Sequence, residues 1–86
     1  MSTFAIIIVE KQSDGTWRAR FAHTDRFSGN GEWPATALNQ LIECFGWDNI
    51  DGGCFDEITA GSREVYRMFR IPLNDLGVHR LRMATD

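Results

Sequence analysis

Phe4-Ala5-Ile6-Ile7-Ile8-Val9, then Gln12-Ser13-Asp14-Gly15, then Thr16-Trp17-Arg18-Ala19-Arg20-Phe21-Ala22 is the stretch that decides the fold. The first run is β-branched, continuous and short, which reads as a buried strand. The polar residues after it form a turn, where Gly15 takes positive φ at no steric cost. From Thr16 onward the pattern alternates, with Trp17, Ala19 and Phe21 on one face and Arg18 and Arg20 on the other. A period of two is the mark of a half-buried strand. Together these segments predict a β-hairpin.

Downstream, His23-Thr24-Asp25-Arg26 reads as a second turn and Phe27 to Trp33 as a third strand. Gly29 and Gly31 weaken that strand, and glycine in a strand marks a bulge or a close backbone approach. Pro34 sits where a first helical position is expected, since its missing N–H has no partner there. Leu38, Leu41, Ile42 and Phe45 follow at the spacing of one helical face. Gly46 is a natural terminator, so a helix is predicted from Pro34 to Phe45. Trp47 to Gly61 is the least regular part, with a short strand expected around Cys54 to Ile58. Glu64 to Ile71 reads as a strand ended by Pro72, and Leu73 to Gly77 as a turn or a single helical turn. Val78 to Met83 alternates again and predicts a last strand. The expected order is β-β-(β)-α-(β)-β-β, an α+β fold in which one α-helix packs on one face of an antiparallel sheet.

Length and composition bound the rest. At 86 residues there is room for one core, so residues 1–86 form a single domain. A chain this short is marginally stable unless a metal, a disulfide or a partner chain helps. An apolar share of 43% with a net charge of −3 excludes a disordered composition. No stretch approaches the roughly 18 apolar residues of a membrane span. The opening run also lacks the basic start and cleavage site of a signal peptide, so a cytoplasmic protein with no membrane partner is expected. Cys44, on an apolar helix face, and Cys54, after a flexible loop, read as small hydrophobic residues rather than a bridge.

Charge is unevenly spread. Residues 1–31 balance to +1, residues 32–62 carry six acidic and no basic residues, and residues 63–86 balance to +2.

The chemistry of catalysis needs a nucleophile, a base and an orienting group. His23-Thr24-Asp25 has the residue types of a relay, but a turn histidine beside an aspartate is ordinarily solvated. There is no G-x-S-x-G, P-loop or H-E-x-x-H. An EF-hand loop with its glycine at Gly52 would require ligands at Trp47 and Ile58, which cannot serve. Two Cys and two His at unrelated spacings do not make a zinc site. No enzyme activity, cofactor or metal is expected.

Two surfaces remain as candidates. Eight of the nine basic residues are arginine, which suits bidentate and stacked contacts. Arg18 and Arg20 share one strand face, as do Arg80 and Arg82; with Arg67, neighbouring strands would gather them into a patch for phosphates or an acidic partner. The acidic segment competes with it: Trp47 and Phe55 among Asp48, Asp51, Asp56 and Glu57 have the composition of a protein interface. The same two aromatics would also serve to complete a small core.

Asp14-Gly15-Thr16-Trp17-Arg18-Ala19, followed by Gly29 and then Ala37-Leu38-Asn39-Gln40-Leu41, resembles the HicB-type antitoxin domain over residues 4–45. That family joins a D-G-x-W/Y-x-A hairpin to a glycine and an A-L-containing helix, and often continues into a DNA-binding segment; residues 63–86 here read as strands instead. A sheet followed by a helix also resembles the double-stranded RNA-binding domain. The lysines which that family places at its helix start are replaced here by Trp33-Pro34-Ala35-Thr36. In size and lack of motifs the chain is similar to small phage proteins that block host machinery. The expected function is therefore a non-enzymatic protein-binding module, an inhibitor or antitoxin-like partner from a phage or mobile element. A nucleic-acid-binding module using the arginine face, and a small-molecule or nucleotide binder built as a homodimer, are the alternatives.

Overall fold

The computed structural model describes residues 3–52 and 55–84. Its elements are β1 (Thr3–Lys11), β2 (Trp17–Phe21), β3 (Thr24–Gly31), α1 (Pro34–Phe45), a 3-10 turn (Trp47–Asn49), β4 (Asp56–Glu57), β5 (Tyr66–Leu73) and α2 (Asp75–Ala84). All strand pairings are antiparallel, and the strand order across the sheet is β3-β2-β1-β5-β4. The fold is α+β, with two helices rather than the expected one.

The opening hairpin forms as its pattern dictates. Gly15 closes the turn at φ +89°, and the Asp14 carboxylate accepts hydrogen bonds from the Thr16 N–H and hydroxyl. Those two bonds hold the Asp14 pKa below the ordinary carboxylate value. The run 4–9 then becomes the middle of the sheet, because β5 pairs along its other side from Thr3 opposite Leu73 to Glu10 opposite Tyr66.

Register sorts the side chains between two faces. On the inner face stand Ala5, Ile7 and Val9 of β1, Trp17, Ala19 and Phe21 of β2, and Phe69, Ile71 and Leu73 of β5, all buried. Helix α1 lies on this face with Ala37, Leu38, Leu41, Ile42 and Phe45 turned into it. The helix reaches the sheet most closely over β3. A Cβ on Gly29 would fall on the Ala37 carbonyl oxygen and the Leu41 nitrogen, so only glycine admits this approach. Phe21, Phe27 and Phe45 close the end of the core edge-to-face, with centroids 4.9 to 6.1 Å apart.

Three expectations are corrected. Residues 78–83, read as a strand, belong to α2. Asn74 starts this helix, its side-chain oxygen accepting the Gly77 N–H at 2.9 Å and its carbonyl the Val78 N–H at 3.0 Å. Gly77, Val78, Leu81 and Ala84 recur at helical spacing, and Leu81 and Met83, two positions apart, make so short a segment look alternating. Strand β5 does not stop at Pro72 but runs to Leu73. The Pro72 carbonyl accepts the Asp51 N–H at 3.0 Å on the side away from β1, so the missing proline N–H costs the β1 ladder nothing. Cys44 is exposed rather than on the apolar face of α1. Cys54 lies outside the described residues, as does the start of the expected strand 54–58, of which Asp56–Glu57 is seen.

Candidate functional site

Helix α1 ends at Gly46, whose φ of +110° turns the chain into the Trp47–Asn49 turn. Two asparagines then tie this turn to both helices. Asn49 donates its side-chain N–H to the Phe45 carbonyl at 2.9 Å, capping α1. Asn74 donates its own to the Asp48 carbonyl at 2.6 Å while its backbone N–H reaches the Asn49 carbonyl at 3.2 Å. Gly77 permits the contact, since a Cβ there would overlap the Asn49 carbonyl oxygen. Val78 and Leu81 pack against the main core, and α2 lies against the Trp47–Asn49 turn and β5.

Packing that way leaves the opposite stripe of α2 uncovered. Leu76 and Met83, seven positions apart on one helical face, are 67% and 64% exposed. Between them runs a groove of about 590 Å³, lined by Arg26, Phe27, Asn49, Leu76, Arg80 and Met83. The Arg80 guanidinium lies over the Phe27 ring at 5.3 Å, a cation–π contact that flattens one wall. Trp47, on the turn that supplies Asn49, is 45% exposed and stacks obliquely on half-buried Phe55 at 6.1 Å. Asp48 and Asp51 beside it are exposed. This helical end is thus an apolar surface with arginines on its groove and carboxylates on its margin.

The other acidic candidates are occupied. Glu57 accepts paired hydrogen bonds from both Arg63 and Arg67, the Arg67 Nε–Oε2 distance being 3.0 Å. Those bonds, that from Arg67 first, and the Thr59 hydroxyl hold the Glu57 pKa at about 2. The same pairing raises the pKa of Arg67. Asp56 pairs with Arg70 at 3.1 Å. Both acids therefore clamp the short β4 strand to β5 instead of extending the acidic surface.

Nor do the arginines share one face. Arg18 and Arg20 point outward from β2, Arg67 stands opposite buried Val9 on the inner side of β5, and Arg80 and Arg82 are on α2. Arg70, not singled out from the sequence, joins Arg18 and Arg20 on the outer face by register. A shared patch with Arg80 and Arg82 requires a strand at 78–83, and those residues are helical. Leu76 and Met83 were overlooked for the same reason; the signal for them was Asn74-Asp75, a helix start.

His23 sits with Thr24 and Asp25 at a shallow polar hollow, and His79 lines the groove on α2. Among the described residues no three His, Cys, Asp or Glu side chains gather to hold a metal ion. Among them, too, no helix is long and apolar enough to cross a membrane. No family model matches this chain, and neither a characterised protein nor a solved structure matches it.

Proposed function

We propose that this chain is a small protein-binding module whose contact surface is the helical end formed by α2 and the Trp47–Asn49 turn. The observation that carries this reading is the exposure of Leu76 and Met83 along one groove, with exposed Trp47 on the turn that supplies the groove residue Asn49 and that Asn49 and Asn74 tie to both helices. Large apolar side chains left in water beside arginine have the composition of interface centres, where Trp, Met and Arg are enriched. The carboxylates Asp48 and Asp51 form a margin that favours a partner with basic residues around its contact patch. The likeness of residues 4–45 to HicB-type antitoxin domains agrees with action by binding rather than by catalysis, and an inhibitor or antitoxin-like role fits both. A nucleic-acid role loses its basis in a four-arginine strand face.

The test is capture from bacterial lysate by the immobilised chain, with nuclease present and at moderate salt. A protein partner retained in stoichiometric amount by the wild type, and reduced about tenfold or more by Leu76→Asp with Met83→Asp, is the expected outcome. Both substituted side chains are exposed, so circular dichroism should show an intact fold. Equal capture by the double variant, or recovery only when nuclease is omitted, would overturn the proposal.

A further inference from the structure

Among the described residues no helix packs on the outer face of the sheet. By register it presents Phe4, Ile6, Ile8 and Glu10 from β1, Arg18 and Arg20 from β2, and Tyr66, Met68, Arg70 and Pro72 from β5. The apolar members are concentrated on the central strand β1 and its neighbour β5, where Ile6, Ile8 and Met68 are half-buried and Phe4 is 44% exposed; Ile58, hydrogen-bonded to Met68 just past the edge strand β4, is 39% exposed. Polar residues occupy the flanks, with Ser28 and Asn30 on β3 and Asp56 on β4. An apolar centre inside a polar rim is the anatomy of an interface.

The sequence of β1 says the same thing independently. Antiparallel strands with one wet face alternate, whereas strands covered on both faces read as continuous apolar runs. Strand β2 alternates, but β1 does not: Phe4 to Val9 is apolar at every position. Ile6 and Ile8 are therefore patterned for a fuller cover than the described residues supply.

We infer that this cover is a second copy of the chain, packed sheet face against sheet face. Three features choose this occupant. The charges are of both signs and intermixed, three arginines with Glu10 and Asp56. Four of these five charges already pair within the chain, Arg20 with Glu10 at 3.3 Å and Arg70 with Asp56 at 3.1 Å. A two-fold contact presents the same patch to itself and needs such mixed charge, while a phosphate or strongly acidic partner would not meet carboxylates among its arginines. The area is sufficient. Strands about 4.8 Å apart and about 3.4 Å per residue give a face of roughly 500–600 Å² per copy, or over about 1,000 Å² in total, the size at which specific interfaces begin. The geometry is ordinary for stacked sheets, whose inner side chains interdigitate across about 10 Å. The groove on α2 shares no residue with this face, so such a dimer is compatible with the proposed partner contact but does not depend on it.

Sedimentation velocity of the full chain, from micromolar to near-millimolar concentration, tests this. The wild type is expected to shift from a 9.8 kDa species toward one of twice that mass. Met68→Lys should raise the dimer dissociation constant about tenfold or more, by placing a charge in each copy's apolar centre. Should Met68→Lys unfold, Arg18→Glu with Arg70→Glu, at exposed positions, should weaken association in the same direction. Leu76→Asp, on the other surface, should leave it unchanged. A wild type that stays monomeric throughout, folded outer-face variants that dimerise like the wild type, or a dimer dissolved only by Leu76→Asp would each overturn the inference. Loss of partner capture with the dimer intact would count against the helical-end reading alone.

Discussion

Ile7 and Ile8 are adjacent in β1 and chemically identical, yet one is fully buried under α1 and the other lies half-exposed on the opposite face. The inner face is a closed core in which helices, three phenylalanine rings and a glycine contact leave little room for change. The outer face has apolar residues at its centre too, but among the described residues no helix lies over it, and only the Arg70 guanidinium stacks on Phe4 at 4.6 Å. The contrast teaches that apolar content alone does not locate a core; what decides is which face finds a helix to cover it.

The contrast can be broken most sharply at the two isoleucines. Ile7→Ala should destabilise the monomer by about 2–5 kcal/mol, through lost burial and the cavity left behind. At the same dilution Ile8→Ala should cost only about 1 kcal/mol, because less of its area leaves water on folding. Urea titrations of both variants at low concentration give the comparison. A next lever is the seam between α2 and the Trp47–Asn49 turn. Gly77→Ala must displace the Asn49 carbonyl, with an expected loss of about 1–3 kcal/mol in melting experiments. Asn74→Ala removes the cap of α2 and should lower stability by about 1 kcal/mol, read as reduced helicity and faster exchange of the Gly77 amide.

Those last two positions also show what the sequence made legible. The hairpin, the span of α1 and the close approach at Gly29 could be read because each rests on a local rule: alternation, helical spacing, glycine where a backbone passes. Helix α2 could not be read so directly. Its apolar residues split between two sides, with Leu76 and Met83 facing solvent, and the glycine inside it reads as a turn although it stands against the Asn49 carbonyl. Trp47 was a visible candidate, but its neighbours Leu76 and Met83 depend on the helix and were lost with it. Asp56 and Glu57 looked like free acids because their partners, Arg70, Arg67 and Arg63, arrive from up to fourteen residues away.

The smallest expected effect concerns that ionic clamp. Glu57 has a folded pKa of about 2, below its ordinary 4.5. A depressed carboxylate contributes stability that is complete above the unfolded value and is lost as pH falls through the folded one. The loss should therefore run from about pH 5 down to about pH 2. Solvent screening limits it to about 1 kcal/mol or less, and Glu57→Gln should flatten this part of the acid denaturation curve.

The two uncovered surfaces are proposed to do different work, the sheet face pairing with itself and the helical end meeting a partner. Met68 stands at the centre of the first and Met83 on the second, so their oxidation rates by peroxide report both at once. As concentration rises, Met68 is expected to become protected while Met83 reacts at an unchanged rate. Protection of Met83 instead, or no change at either residue, would contradict the account.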